Sequence, residues 1–214
     1  MTLEAADDSR FAPATFFARA AARLDQAPRP AGAGLVGDHH LNPGFLDDGG
    51  TYRDAAVLIP VVAREPLASV ILTKRTPHLS AHAGQIAFPG GKIDPEDEGP
   101  AAAAIREAGE EIGLAPSAIG TLGYLDPYLT RTGYRIVPVV ARVDPEHRLA
   151  LNPREVESVF EVPLSFLMDP ANHRRGSREF FGATRYFYEM PFGERYIWGI
   201  TAGIIRGLYE RVFG

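Results

Sequence analysis

Apolar positions along the chain switch between two periods. Over residues 13–24 they recur at helical spacing, with Phe16, Phe17, Ala20 and Leu24 on one face, which predicts a short amphipathic helix. Residues 25–50 lose the pattern to Pro, Gly and Asp and read as a linker or a meandering loop. From Tyr52 onward apolar runs dominate. AAVLIPVVA at 55–63 is continuous, as in a buried strand. Further strands are expected at 69–74, 119–125, 134–143, 158–162 and 180–188, the last rich in aromatic residues. Helical spacing returns twice. Ala101, Ala104, Ile105, Ala108 and Ile112 form one stripe; Ile197, Thr201, Ile204, Ile205, Leu208, Tyr209 and Val212 form another, within a helix expected over 196–212. Helices interspersed with strands predict a layered α/β fold. The division expected is an N-terminal helix and linker over 1–50 and a catalytic domain over 51–214.

Composition narrows the function classes. A chain of 214 residues, 45% apolar and 23% charged, suits one compact domain. The net charge of -5 offers no broad basic surface for nucleic acid. No cysteine is present, so disulfides, thiolate catalysis and cysteine-type zinc sites are excluded. No apolar run is long enough to span a membrane. Residues Glu4, Asp7 and Asp8 do not make a secretory signal, and the Arg-Val-Phe-Gly ending is no peroxisomal address. A cytoplasmic enzyme is expected. The apolar N-terminal helix packs on its own domain or on a second subunit, which leaves a homodimer open.

The chemistry concentrates in residues 90–114, GGKIDPEDEGPAAAAIREAGEEIGL. Pro100 suits the first helical position and Gly113 the left-handed position after the last turn. At about 100° per residue, Arg106, Glu107, Glu110 and Glu111 fall opposite the apolar stripe. Glu107 and Glu111 are a like-charge i, i+4 pair, and all three glutamates lie toward the negative end of the helix dipole. Breaking two local rules together marks a functional site rather than a solvated face. Carboxylates so gathered point to a divalent cation, and the acidic balance of the chain requires one before an anionic substrate can bind.

Arg106-Glu107-Ala108-Gly109-Glu110-Glu111-Ile112-Gly113-Leu114 resembles the end of the Nudix box, G-x5-E-x7-R-E-U-x-E-E-x-G-U. Counting back from Arg106 reaches Glu98 for the upstream glutamate, but the box glycine then falls on Lys92. The loop therefore carries one extra residue, and Asp97 competes with Glu98 for the acidic role. Residues 72–91, LTKRTPHLSAHAGQIAFPGG, resemble the signature of coenzyme A pyrophosphatases, L-L-T-x-R-(S/A)-x3-R-x3-G-x3-F-P-G-G. Leu72, Thr73, Arg75, Gly84, Phe88, Pro89, Gly90 and Gly91 match; Ile71, Thr76 and Ser80 depart. Ser80 is the largest departure, because serine cannot grip a phosphate as a guanidinium does. Thr132-Gly133-Tyr134, residues 153–164 and Trp198 through Ala202 also resemble this subfamily, so the likeness covers about 52–210.

The resemblance implies a mixed sheet sandwiched between helices and Mg²⁺- or Mn²⁺-dependent hydrolysis of a small-molecule nucleoside diphosphate derivative. It implies a metal site of Glu107, Glu110, Glu111 and the Gly91 or Gly90 carbonyl, and an orienting role for Arg106. Gly90 and Gly91 equally suit a tight turn. Glu107 or Glu110 could take the proton from water; Glu155 and Glu157 are rivals for that role, or surface carboxylates. Arg75 is read as a phosphate contact or a structural ion pair, and Gly84 and Phe88 as its neighbours at the substrate. His78, His82, His39-His40 and Arg174-Arg175 read first as solvated polar residues. Trp198 stacks on a base or anchors packing. Coenzyme A or acyl-CoA is the expected substrate, giving 3′,5′-ADP and 4′-phosphopantetheine or its acyl form. ADP-ribose or a dinucleotide is the alternative, and a non-catalytic ligand sensor the third.

Overall fold

A computed structural model describes residues 8–30, 32–44, 51–78, 82–180 and 182–214. In chain order its main elements are α1 (Pro13–Arg23), β1 (Val36–Gly37), β2 (Arg53–Val62), β3 (Ser69–Arg75), β4 (Ile86–Ala87), β5 (Gly90–Lys92), α2 (Pro100–Ile112), β6 (Ile119–Tyr124), β7 (Tyr128–Leu129) and β8 (Tyr134–Val143). There follow β9 (Val156–Pro163), α3 (Leu164–Leu167), β10 (Arg174–Phe180), β11 (Ala183–Phe192), β12 (Arg195–Trp198) and α4 (Ile200–Phe213). Nine strands make one mixed sheet along the path β1-β7-β8-β2-β3-β4. β5 joins β2, β6 joins β8 and β9 joins β3. β2 and β8 run parallel, whereas β3 is antiparallel to β2 and to β9. β10, β11 and β12 form a separate antiparallel sheet.

Alternation along the strands divides the core into two layers. Ala56 and Leu58 of β2 and Val139 and Ala141 of β8 pack under Ala104, Ala108 and Ile112 of α2. Ile59, Val61 and Val140 face the other way, into a layer with Phe16 and Ala20 of α1 and Ile204, Leu208 and Val212 of α4. Each fully buried Leu, Ile or Phe side chain contributes about 1.5–3 kcal/mol. This is the expected α/β arrangement, a mixed sheet between helices. The apolar face of α1 is satisfied within the chain: the Phe16 ring stacks on Phe213 with centroids 6.2 Å apart. Arg23 Nη1 donates to the Val212 carbonyl at 3.0 Å.

Several expectations shift. The segment read as a linker contributes β1, which pairs in parallel with β7; its residues 45–50 lie outside the described residues, as do Glu4, Asp7 and Ser80. The helix expected over 196–212 begins as a strand, because Tyr196 and Ile197 pair with Pro191 and Met190 of β11. Gly199, at φ +62°, then turns the chain into α4. The strand expected over 180–188 is a hairpin of β10 and β11, and Arg174-Arg175 lies in β10 rather than in a loop. The buried side of α2 is Ala103, Ala104, Ala108, Glu111 and Ile112, with Ala101 and Ile105 only partly covered. The core face is therefore rotated toward Glu111, since β5 and β2 both pack against this helix.

Candidate active site

Two helix ends and one glycine turn build the site. Pro100 opens α2, and Gly113 closes it in the left-handed region at φ +66°. The last carbonyls of α2 are capped from the following loop: Ala150 N–H donates to Ile112 at 2.8 Å and Asn152 N–H to Glu111 at 2.9 Å. This docks residues 150–155 against the end of α2. On the other side, Gly90 and Gly91 pair with Val57 and Ala56 of β2. A methyl group on Gly90 would run into the Ala56 carbonyl and the Val57 backbone. A methyl group on Gly91 would overlap the Glu107 carboxylate. Gly90 is thus required by close backbone approach, whereas at Gly91 the neighbour is the movable end of the Glu107 side chain.

Glu111 is the main departure from the expected exposed acidic face. It is 1% exposed. Arg75 Nη1 donates to its Oε1 at 2.9 Å, and the Gly90 N–H points at its Oε2 at 3.4 Å. Burial pushes its pKa up to about 7, against the pull of Arg75 and Gly90. Glu107 is half-buried, and burial also raises its pKa, with Glu110 and Glu155 adding negative charge nearby. Glu110 is the exposed member, with 57% of its side chain accessible.

Arg106 binds most of the acidic groups in the box. Its Nε and Nη2 donate to the two carboxylate oxygens of Asp97 at 3.0 and 2.9 Å. Its Nη1 donates to Glu107 at 3.0 Å and to Glu110 at 3.4 Å, and Nη2 also reaches the Lys92 carbonyl at 3.1 Å. The Asp97 side chain is 7% exposed, and Arg106 lowers its pKa. Glu98, the rival for this role, is exposed. The extra residue in the loop thus hands the upstream acidic position to Asp97, whose shorter side chain fits the bidentate geometry.

The other candidates separate. Glu155 is partly buried and lies close enough to Glu107 to raise its pKa. Asn152 Nδ2 donates to Glu155 at 3.0 Å, while the Asn152 carbonyl accepts from the N–H groups of Glu155 and Val156. Asn152 was not foreseen; the Asn-Pro pair at 152–153, a turn signal, was the available clue. Glu157 is on the surface in an ion pair with Lys74 at 2.8 Å. Phe88, expected beside the substrate, is 4% exposed and packs in the α4-side core. Its ring is held there because β4 and β5 tie the chain down on either side of it. Gly84 sits in an exposed turn at φ +68°, which explains it without substrate. His78 and His82 are exposed. Trp198 is half-buried under Arg178. A cavity of about 550 Å³ lies by α4, lined by Asp38, Tyr128, Pro138, Tyr188 and Arg206, and includes none of the box carboxylates.

Glu107 and Glu111, one helical turn apart beside the Gly90-Gly91 backbone, are hard oxygen donors of the kind Mg²⁺ and Mn²⁺ prefer. Among the described residues no three His, Asp or Glu side chains already converge as a metal cluster. Arg106 holds Glu107 and Glu110 through one nitrogen, while Arg75 holds Glu111. The donor set still fits a divalent cation. Two desolvated carboxylates with raised pKa values gain from a positive charge placed between them.

A model of the NUDIX domain matches residues 44–182. The chain is 41% identical over 157 residues to a protein named "Uncharacterized Nudix hydrolase NudL" from Escherichia coli O7:K1 (strain IAI39 / ExPEC). That alignment covers 73% of this chain and 81% of the relative. A protein of the same name from Shigella boydii serotype 18 (strain CDC 3083-94 / BS512) matches with the same identity and coverage. Among solved structures, a MutT/nudix family protein from Enterococcus faecalis is similar at 16% identity and a TM-score of 0.47, over 80% of this chain and 66% of that one. Nudix hydrolases generally use divalent metals such as Mg²⁺ or Mn²⁺. The Arg-Glu and Glu-Glu pairs on one helix, their glycine turn and the 41% relatives lead to one family. The chain belongs to the Nudix hydrolases, as a pyrophosphohydrolase acting on a nucleoside diphosphate derivative.

Proposed function

We propose that the substrate is coenzyme A or an acyl-CoA, cleaved at its pyrophosphate to 3′,5′-ADP and 4′-phosphopantetheine or its acyl form, in the cytoplasm. The observation that carries this reading is the segment from Leu72 to Gly91. Its matches to the coenzyme A signature include Arg75, whose guanidinium meets Glu111, and Gly90-Gly91, which lies against Glu107 and Glu111. A signature segment built into the carboxylate site has the means to act on which diphosphate is cleaved.

In this reading Glu107 and Glu111, with Glu110 at the rim and the Gly91 carbonyl, would hold Mg²⁺ or Mn²⁺, which when bound would offset charge on the phosphate oxygens and acidify water. Arg106, fixed by Asp97, keeps Glu107 aimed; it is a positioning residue. Glu155, held by Asn152, is the general base that accepts the proton of the attacking water. A bond forms from the water oxygen to phosphorus, and the bond to the bridging oxygen breaks. Each product leaves with one of the two phosphates. Arg75 is assigned first to Glu111, whose charge it offsets, rather than to a distant phosphate.

A second substrate class, ADP-ribose or a dinucleotide, is favoured by one observation: Ser80 stands where the coenzyme A signature has arginine. Retention of the Glu107, Glu110 and Glu111 carboxylates weighs against the sensor reading. The test is incubation with coenzyme A, dephospho-CoA, ADP-ribose and NADH, with Mg²⁺ and then Mn²⁺, identifying products by mass. Release of 3′,5′-ADP from coenzyme A with little turnover of the others supports the proposal. Preference for ADP-ribose or NADH overturns it.

A further inference from the structure

The β10–β12 sheet has two unlike faces. Met190 and Ile197 point into the core. The register places Arg174, Arg178, Phe187, Glu189, Tyr196 and Trp198 together on the opposite face. Arg178 lies over the Trp198 ring at 4.5 Å and reaches the Tyr196 hydroxyl. Tyr196 and Trp198 are nearly coplanar in orientation, at 25° with centroids 6.3 Å apart. Phe187 meets Trp198 edge-on at 5.2 Å. Gly176, between Arg174 and Arg178, lies against the Glu189 and Phe187 side chains.

The charges here do not cancel. Glu189 accepts from the Tyr196 hydroxyl, whereas Arg174 and Arg178 make no ion pair among the described residues. Both arginines are exposed, and Glu189, opposite Arg174 in the register, is the carboxylate beside them. Tyr196 is 37% exposed, so aromatic surface is available beside them. Stacking rings with adjacent arginines are what a nucleotide base and its phosphate require. The platform is also near the chemistry. β12 lies against β4, and Thr201 Oγ1 donates to the Ile86 carbonyl at 3.0 Å. From Ala87 to Gly90 is no more than about 11 Å of extended chain.

We infer that this face docks the nucleoside end of the substrate, a base bearing phosphate, a reading that rests on the hydrolase assignment above. The base takes the place of the Arg178 guanidinium on Trp198 and Tyr196, and Arg178, with Arg174, turns to the phosphate. A flexible exposed side chain makes this exchange without moving the strands.

Trp198 is the single tryptophan of the chain, so its fluorescence reports on this face alone. The probe is adenosine 3′,5′-bisphosphate in EDTA, which has no bond for the enzyme to cleave. A saturable change in emission is expected, with the midpoint about tenfold or more weaker in Arg178→Ala. No change at millimolar probe, or an equal midpoint in Arg178→Ala and Tyr196→Ala, overturns the platform. Coenzyme A turnover without a Trp198 response removes the platform and leaves the hydrolase reading intact. An emission change that follows protein concentration rather than probe marks a contact between copies and also overturns it.

Discussion

Carboxylates that look equivalent in the sequence have different surroundings here. Glu110 stays in water, Glu107 is half-buried against Gly91, and Glu111 is enclosed under Arg75. Helical spacing gave their common sector, but not which of them the glycine turn would cover. That depends on β5, a three-residue strand too short to leave a hydrophobic pattern. Phe88 and Asp97 show the same limit. An aromatic residue in a signature can be a core residue, and a loop one residue longer can move an acidic position by one. Asp97, not Glu98, holds Arg106, so substitution should separate them. Asp97→Asn is expected to lower kcat about 10-fold to 100-fold, as loss of an outer partner of a ligand does. Glu98→Gln should stay within about twofold. Steady-state rates on whichever substrate the product assay identifies decide this, and equal losses in both variants would return the role to Glu98.

At the scale of elements, the long ones were legible. α2 begins at Pro100 and ends before Gly113 as its end signals required, and β2, β3 and β8 follow their apolar runs. The segment 174–198 was not legible as a three-stranded sheet. β10 (RRGSREF) is almost wholly polar and β12 (RYIW) has only four residues, so neither shows a clear apolar period, and the start of α4 merges with β12. Gly113 connects element geometry to the site. It holds φ +66°, and a methyl group there would overlap Ala150 in the loop that delivers Glu155. Gly113→Ala is expected to cost about 1–3 kcal/mol in denaturant unfolding and to lower activity through displacement of Glu155. An unchanged midpoint would show that the 150–155 loop docks without this turn.

Across the whole molecule, α1 and α4 support the sheet from the side away from α2, and this layer carries its own titration. His173 Nε2 lies 2.7 Å from the Leu167 carbonyl, its Nδ1 lies 3.5 Å from Arg206, and its ring meets Tyr209. The neutral ring with hydrogen on Nε2 satisfies both neighbours. Burial holds its pKa below the ordinary 6.5, with Arg206 pulling the same way. The folded state therefore binds this proton less readily than the unfolded chain. Its contribution is intact above pH 6.5 and is lost as pH falls from 6.5 toward the folded value. His173→Gln, which keeps a donor for Leu167, should flatten the fall in thermal midpoint across that window; parallel curves for both proteins would contradict it.

The proposed hydrolytic site is built around a buried carboxylate on α2, Glu111, rather than an exposed acidic face. Glu111→Gln tests it most directly, because glutamine keeps the shape and its carbonyl oxygen can still accept from Arg75, losing only the longer contact from the Gly90 N–H. Turnover and thermal midpoint would be measured side by side with Mg²⁺ present. Turnover should fall at least about 100-fold with the midpoint retained or raised, since a desolvated charge is removed. Near-normal turnover in this variant would contradict it.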